Sequence, residues 1–265
     1  MEQPADSIEQ FSLVRQHRRM LAQMNCYLTS ESSILDFGCG DGKYVYEYRD
    51  AGFKAHGFDI RPVPGYRSPG DEQYFRLALT KESVSPTDFT LDQAWYRIPF
   101  EDNSFDFIFS SETMEHVQDH DLAFREIARV MKGGGVAIHT FPARYIPIEP
   151  HTLVPLGSVV QSYSWFLFWA LLGIRNQYQQ GMGPVQCAKV NFDYARAGTK
   201  YLKAGALQAI CRRYFRQVVL VPHLWELGDR GRCTFKGALL CTPVLDRFVR
   251  AIYSRTIRVV LFLRK

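Results

Sequence analysis

The residues Asp36-Phe37-Gly38-Cys39-Gly40-Asp41-Gly42 carry the plainest chemistry in the chain. Three glycines at alternate positions allow positive φ and keep side chains away from whatever approaches the backbone. Ile34-Leu35 before them reads as a short buried strand, and Lys43 to Ala51 after them reads as a helix. Strand, glycine turn, helix is a unit that brings backbone up against a nucleotide-like ligand, because the orphan amides at the helix start face the same spot. The pattern Asp-x-Gly-x-Gly-x-Gly differs from the Gly-x-Gly-x-x-Gly of dinucleotide folds. Lys43 is followed by Tyr44, so the Gly-Lys-Ser/Thr ending of a phosphate loop is missing too.

The turn resembles the cofactor motif of the class I S-adenosylmethionine-dependent methyltransferases, and the spacing downstream agrees. A second strand ends in Asp59, seventeen residues beyond Gly42. In that family an acidic residue there binds both ribose hydroxyls, a task suited to the two oxygens of a carboxylate. Ile98-Pro99-Phe100 leading to Phe105-Asp106, then Ser110-Ser111-Glu112-Thr113-Met114-Glu115-His116-Val117, look like the type-11-like branch, which includes the quinone-biosynthesis methyltransferases. The resemblance covers residues 32–141 almost without gaps. It implies an α/β, Rossmann-like fold: a seven-stranded, mostly parallel sheet of order 3-2-1-4-5-7-6 with helices on both faces. The seventh strand is then antiparallel, and a helical cover is inserted between strands five and six. The implied cofactor is S-adenosyl-L-methionine, with contacts expected at Asp36, Gly38, Cys39, Gly40, Gly42, Asp59, Ile60, Asp92, Ser111 and Glu112. Asp92 is the residue that would meet the adenine amino group at the end of strand three. Glu112 is open to the methionine moiety, the acceptor or a surface role.

Periodicity and breakers place the elements that must position these residues. One amphipathic helix is expected over 6–28, with Ser7 and Gln10 or Asp6 and Glu9 as a capping box. Strand one falls at 32–36, a helix at 43–51 with Gly52 after it, and strand two at 54–58. Pro62, Pro64, Pro69 and Pro86 break up 60–88, which predicts a loop-rich connection with one short helix near 71–80. Strand three is expected at 89–91, strand four at 105–110, a helix at 122–132 and strand five at 136–141. Regular alternation stops from Ala143 to about Lys200, the expected cover. It resumes with a helix at 203–214, strand six at 217–222, a basic amphipathic helix near 244–254 and strand seven at 257–263. The whole of 1–265 reads as one methyltransferase domain.

Methyl transfer from a sulfonium needs little acid-base help, because the leaving group is neutral; alignment and water exclusion matter most. A base helps when the acceptor is a hydroxyl or a protonated amine. The family builds its substrate cover at the carboxyl ends of the strands. At its start stand Tyr145, Glu149 and His151; His151 is the candidate base, with Glu149 or Tyr145 as orienter or substrate contact. His116 and His139 are further candidates, and each of the three could instead be a structural hydrogen-bonder. The aromatic run 163–169 could be core or could line an apolar pocket. The acceptor is expected to be a small molecule, with an apolar, aromatic or lipid-like one open.

Composition agrees with a globular domain. The net charge is only +5, and much of the excess falls late, in residues such as Arg212, Arg213, Arg230, Arg247, Arg258 and Lys265. That suits a solvated face, an anionic substrate, or peripheral contact with a membrane surface. Nucleic acid fits less well: base-methylating enzymes of this fold hold a flipped base on an Asn/Asp/Ser-Pro-Pro-aromatic run where this chain has Ser110-Ser111-Glu112-Thr113. A non-catalytic cofactor-binding protein is the third reading, and the intact turn with Asp59 speaks against it. The six scattered cysteines include no Cys-x-x-Cys pair, so no metal is expected, and reduced thiols in the cytoplasm are the simplest account. The N-terminus lacks a signal-like apolar run. Trp165 to Ile174 covers about half a membrane span and reads as a buried or interfacial helix.

Overall fold

A computed structural model describes residues 12–80, 95–220 and 258–265. Its centre is a seven-stranded sheet made of β1 (Ser33–Phe37), β2 (Lys54–Asp59), β3 (Phe75–Leu77), β6 (Phe105–Ser111), β7 (Met131–Pro142), β8 (Gln217–Leu220) and β9 (Arg258–Arg264). The order is β3-β2-β1-β6-β7-β9-β8. Counted along the chain within this sheet, that is 3-2-1-4-5-7-6. The last strand runs antiparallel to both neighbours, while the pairings among the first five are parallel. A separate two-stranded ribbon pairs β4 (Leu79–Thr80) with β5 (Trp95–Arg97).

Alternate side chains of each central strand feed opposite cores, as the two-residue period requires. Leu35, Ile108, Ala137, Leu261 and Leu263 face one side, where α3 (His120–Val130) and α6 (Ala204–Cys211) contribute Phe124, Ile127 and Leu207. Ile34, Phe107, Phe109, Ile138 and Phe262 face the other, against Leu13, Val14 and Leu21 of α1 (Ser12–Gln23) and Val45 and Tyr48 of α2 (Lys43–Asp50). The cover holds α4 (Tyr163–Leu171) and α5 (Pro184–Ala197), packed around their own cluster of Val154, Phe166, Ala170, Cys187 and Ala188. From α4 only Phe166 and Ala170 are buried, while Phe168 and Leu171 stay exposed. Among the described residues no helix is long and apolar enough to cross a membrane.

Several boundaries differ from expectation for local reasons. The helix expected at 122–132 spans 120–130, because Asp119 caps it, accepting from the Leu122 amide at 2.9 Å. Met131 then turns extended and pairs with Phe105, so the fifth sheet strand begins five residues before 136. The third position in the sheet is filled by Phe75–Leu77, just after a 3₁₀ turn at Asp71–Tyr74, where a loop with a short helix was expected. The strand expected at 89–91, with Asp92, lies outside the described residues, as do the start of the 6–28 helix and the helix expected near 244–254. Gly52, with φ +85°, closes α2: its amide donates to the Arg49 carbonyl at 2.9 Å and that of Phe53 to Tyr48 at 3.0 Å.

Candidate functional site

The glycine turn leaves the carboxyl end of β1 in the left-handed region, with φ of +80° at Gly38, +54° at Gly40 and +78° at Gly42. Two of these glycines are also demanded by packing. A Cβ on Gly38 would lie 2.2 Å from Thr113 Cγ2, and one on Gly42 would lie 2.7 Å from the Phe75 ring. Gly40 has nothing within 4 Å of such a position, because it faces an open cleft of about 500 Å³. The cleft is lined by Gly38, Gly40, Asp41, Asp59 and Ile60, and by Glu112, Thr113 and His116 from the segment after β6. Cys39 turns its sulfur the other way, under the turn against Gly57, and does not line this cleft; its amide donates to the Phe58 carbonyl at 3.1 Å and its carbonyl accepts from the Gly42 amide at 2.8 Å.

Asp59 closes the turn from below. Its Oδ2 accepts from the Gly40 amide at 2.8 Å, and its Oδ1 accepts from the amides of Ile60 at 2.7 Å and Arg61 at 3.1 Å. Further lone pairs remain for hydroxyl donors. Asp36 is only 2% exposed, and its Oδ2 has no partner among the described residues. Burial, with Asp59 and Asp41 beside it, pushes its carboxyl well above the usual carboxylate range. The base of the turn is thus short of positive charge.

Across the cleft β6 ends at Ser111. Glu112 sits at φ +53°, where its amide donates to the Thr140 carbonyl at 2.8 Å and its carboxylate pairs with Arg258. Burial raises its pKa in spite of Arg258. The next turn carries Glu115 and His116. His116 lines the cleft and its Nδ1 donates to the Gly198 carbonyl at 2.7 Å. Glu115 is 1% exposed, neither of its oxygens is hydrogen-bonded among the described residues, and burial pushes its carboxyl up to about 8.

The cover supplies His151. Its Nδ1 lies 2.7 Å from Glu149 Oε1, and Glu149 also accepts from the amide and hydroxyl of Thr152 and from Tyr201 at 2.8 Å. Burial alone would lower His151, but the Glu149 carboxylate outweighs it and holds the imidazole above its ordinary pKa. The rings of His151 and His116 meet edge to face, centroids 4.8 Å apart, and Tyr194 stands 5.5 Å from His151. His151 and Tyr194 line a second cleft, of about 640 Å³, within the cover, with Leu153, Met182 and Val190 among its walls. The two histidines therefore stand between the clefts.

The structure brings His116, His151 and Glu149 together and keeps His139 apart. His139 is fully enclosed, its Nδ1 2.8 Å from Ser110 Oγ, and burial holds it down to about 3. Tyr145 stands 43% exposed and lines neither of the two large clefts, nor does any residue of 163–169. Tyr194 and Tyr201 carry no sequence signal, because each earns its place through a contact 43 or 52 residues away along the chain; Thr113 is visible only as part of the Ser110–Val117 run, and its contact with Gly38 lies 75 residues away.

The sheet order with an antiparallel last strand, the glycine turn and the acidic end of β2 together define a class I methyltransferase domain. The chain belongs to the methyltransferase-domain family, whose model matches residues 9–189. It is similar to an uncharacterised methyltransferase of Schizosaccharomyces pombe, 29% identical over 41% of this chain and 39% of that one. It is likewise similar to a sarcosine/dimethylglycine N-methyltransferase of Halorhodospira halochloris, 25% identical over 65% of this chain and 57% of that one. These matches thus take in less than two thirds of either relative's length. A solved phosphoethanolamine N-methyltransferase of Haemonchus contortus superposes with a TM-score of 0.48 at 14% identity, over 94% of this chain and 51% of that one. The methyl donor of the class is S-adenosylmethionine, and the residues present fit it. The unpartnered, buried Asp36 oxygen and the neighbouring Asp41 and Asp59 suit a cationic ligand, and Asp59 keeps free lone pairs for a ribose.

Proposed function

We propose that the protein transfers a methyl group from S-adenosylmethionine to a small-molecule acceptor that reaches the donor through the cover. The observation that carries this reading is the ring contact between His116, which lines the first cleft, and His151, which lines the second. Asp59 would hold the ribose, and Asp36, Gly38 and Gly40 the rest of the donor's polar frame. Ile60, Ser111, Glu112 and Asp92 complete the proposed donor contacts. The donor supplies an electrophilic methyl and a neutral leaving group; the protein's task is to align an acceptor with it and keep water out. Glu149 fixes the His151 Nδ1 proton, which leaves Nε2 as the basic nitrogen for an acceptor hydroxyl or ammonium.

The largely apolar wall of Leu153, Met182, Val190 and Tyr194 favours an apolar or aromatic acceptor body, with Asn176 and Asn191 as polar anchors. A small molecule is in keeping with the relative named for sarcosine and dimethylglycine. Three of the described late basic residues bear on the nucleic-acid reading: Arg213 pairs with Asp121, Arg258 with Glu112, and Lys265 bonds Asn103 and the Met131 carbonyl. That engagement within the chain supports a small acceptor over a polyanion.

The test is calorimetry with S-adenosylmethionine on the full chain, followed by His151→Ala scored for S-adenosylhomocysteine release on a panel of small apolar acceptors. Donor binding is expected in the wild type and retained in the variant, with turnover cut by about 100-fold or more. No heat at high micromolar donor overturns the donor assignment, and wild-type turnover in His151→Ala overturns the base.

A further inference from the structure

We propose that Glu115, His116 and His151 form a binding site for one divalent first-row transition-metal ion of the zinc type. Each offers one ligand atom, and all three atoms lie within 4.8 Å of one another. Glu115 Oε1 and His116 Nε2 are 3.9 Å apart. Two ligands on a tetrahedral ion with bonds of ~2.1 Å stand ~3.4 Å apart, so the site closes with small side-chain rotations. Paired cysteines are the usual sequence sign of such an ion; this set has none, and its third member comes from another element 35 residues on, so the sequence does not display it.

The surroundings are those of metal ligands. A ligating imidazole hands its other N–H to a carboxylate or a backbone carbonyl, which fixes the tautomer and aims the free nitrogen. Both histidines do this: His116 Nδ1 donates to the Gly198 carbonyl at 2.7 Å, and His151 Nδ1 to Glu149 at 2.7 Å. Glu149 is itself held by Thr152 and Tyr201, so the outer partner is as firmly placed as the ligand. The carboxylate of Glu115 is the second, independent sign. It is 1% exposed, aimed at His116, and neither oxygen has a hydrogen-bond partner among the described residues. A buried carboxylate without a partner is costly, and a bound cation removes that cost.

Two nitrogens and one carboxylate select zinc, cobalt, manganese or iron over magnesium and calcium, which favour oxygen donors. Three protein ligands also leave a coordination position open. Because His116 lines the donor cleft and His151 the cover cleft, that position is placed for an acceptor oxygen. This last step rests on the methyltransferase reading; the binding of the ion does not. With the ion in place His151 is a ligand and not the base, and the acceptor is activated by the ion, which lowers the pKa of the bound oxygen.

The experiment strips the full chain of metal and titrates Zn²⁺ by calorimetry, with Co²⁺ followed by its visible d–d absorption. One ion per folded chain is expected at micromolar affinity or tighter. Glu115→Gln and His151→Ala should weaken binding at least tenfold. Glu149→Gln should weaken it about 10- to 100-fold although Glu149 does not touch the ion. Circular dichroism checks that each variant folds, and the exposed edge of His151 makes His151→Ala the variant that keeps the test decisive if Glu115→Gln does not. No saturable binding of either ion, or undiminished affinity in folded His151→Ala, overturns the site. Donor calorimetry on the metal-free protein is read separately, so a failure of the ion and a failure of the donor assignment are distinct.

Discussion

Asp59 shows how much one carboxylate can be asked to do. It holds three backbone amides and still lines the cleft, so it shapes the glycine turn and, in the proposed reading, also meets the donor. Asp59→Ala should weaken S-adenosylmethionine binding by about 1–3 kcal/mol, the loss expected for charge-assisted hydrogen bonds, as read by calorimetry. Asp59→Asn should recover little of it, since an amide nitrogen cannot accept from Gly40. Unchanged affinity in the alanine variant would show the donor site misassigned. Asp59 was legible in the sequence because strand, turn and spacing are local. Glu115 was legible only as part of a signature, and its empty hydrogen-bonding capacity became visible once His151 was folded against it. His139 illustrates the opposite case: a histidine at a strand end near the turn, which burial makes a neutral partner of Ser110.

At the scale of elements, the turn between β1 and α2 is braced from two sides, by Thr113 after β6 and by Phe75 of β3. Gly38→Ala meets both a positive φ and a Cβ contact of 2.2 Å with Thr113. The backbone penalty alone is about 1–2 kcal/mol. Chemical denaturation should therefore show a loss of about 2 kcal/mol or more, with part of it restored in the double variant Gly38→Ala/Thr113→Ala, where the methyl is gone. No coupling between the two sites would mean the brace is unimportant. The core strands β1 and β6 were readable because each carries short apolar stretches bounded by turns, and the helix before β7 because its apolar stripe repeats. The third sheet strand was not: Phe75-Arg76-Leu77 is three residues long and takes its identity from pairing with Gly57 to Asp59. The cover was readable only as an interruption, since its helices pack on one another around Phe166 and Cys187 without adding to the sheet's alternation.

At the scale of the molecule, stability should drain away in mild acid through a group far from the cleft. His17 is buried between Phe107, Phe109 and Tyr48, with Nδ1 2.7 Å from the Tyr48 hydroxyl, and burial holds its pKa down to about 3 against 6.5 when unfolded. The folded value lies below the unfolded one, so this contribution is complete above about pH 6.5 and is lost as pH falls toward 3. Between pH 7.5 and 5.5 it amounts to about 1.4 kcal/mol. Urea midpoints should fall more steeply over that range in the wild type than in His17→Leu, and equal slopes would refute the assignment. The sheet carries a further consequence, in time and not in energy. β9 lies inside the sheet, joined to β7 on one side and β8 on the other, yet it comes last of the seven strands along the chain. Val136 must find Arg264, a partner 128 residues away. Such non-local pairing is slow to form because a long loop must be closed first. Among β1, β2, β3 and β6 the spans are shorter: about 20 residues for two of the pairings and 73 for Ile34 with Phe107. A nascent chain can thus have its nucleotide-type cleft shaped while β7 still presents an open edge, and the final step of assembly is the arrival of a strand between two others that have already waited for it.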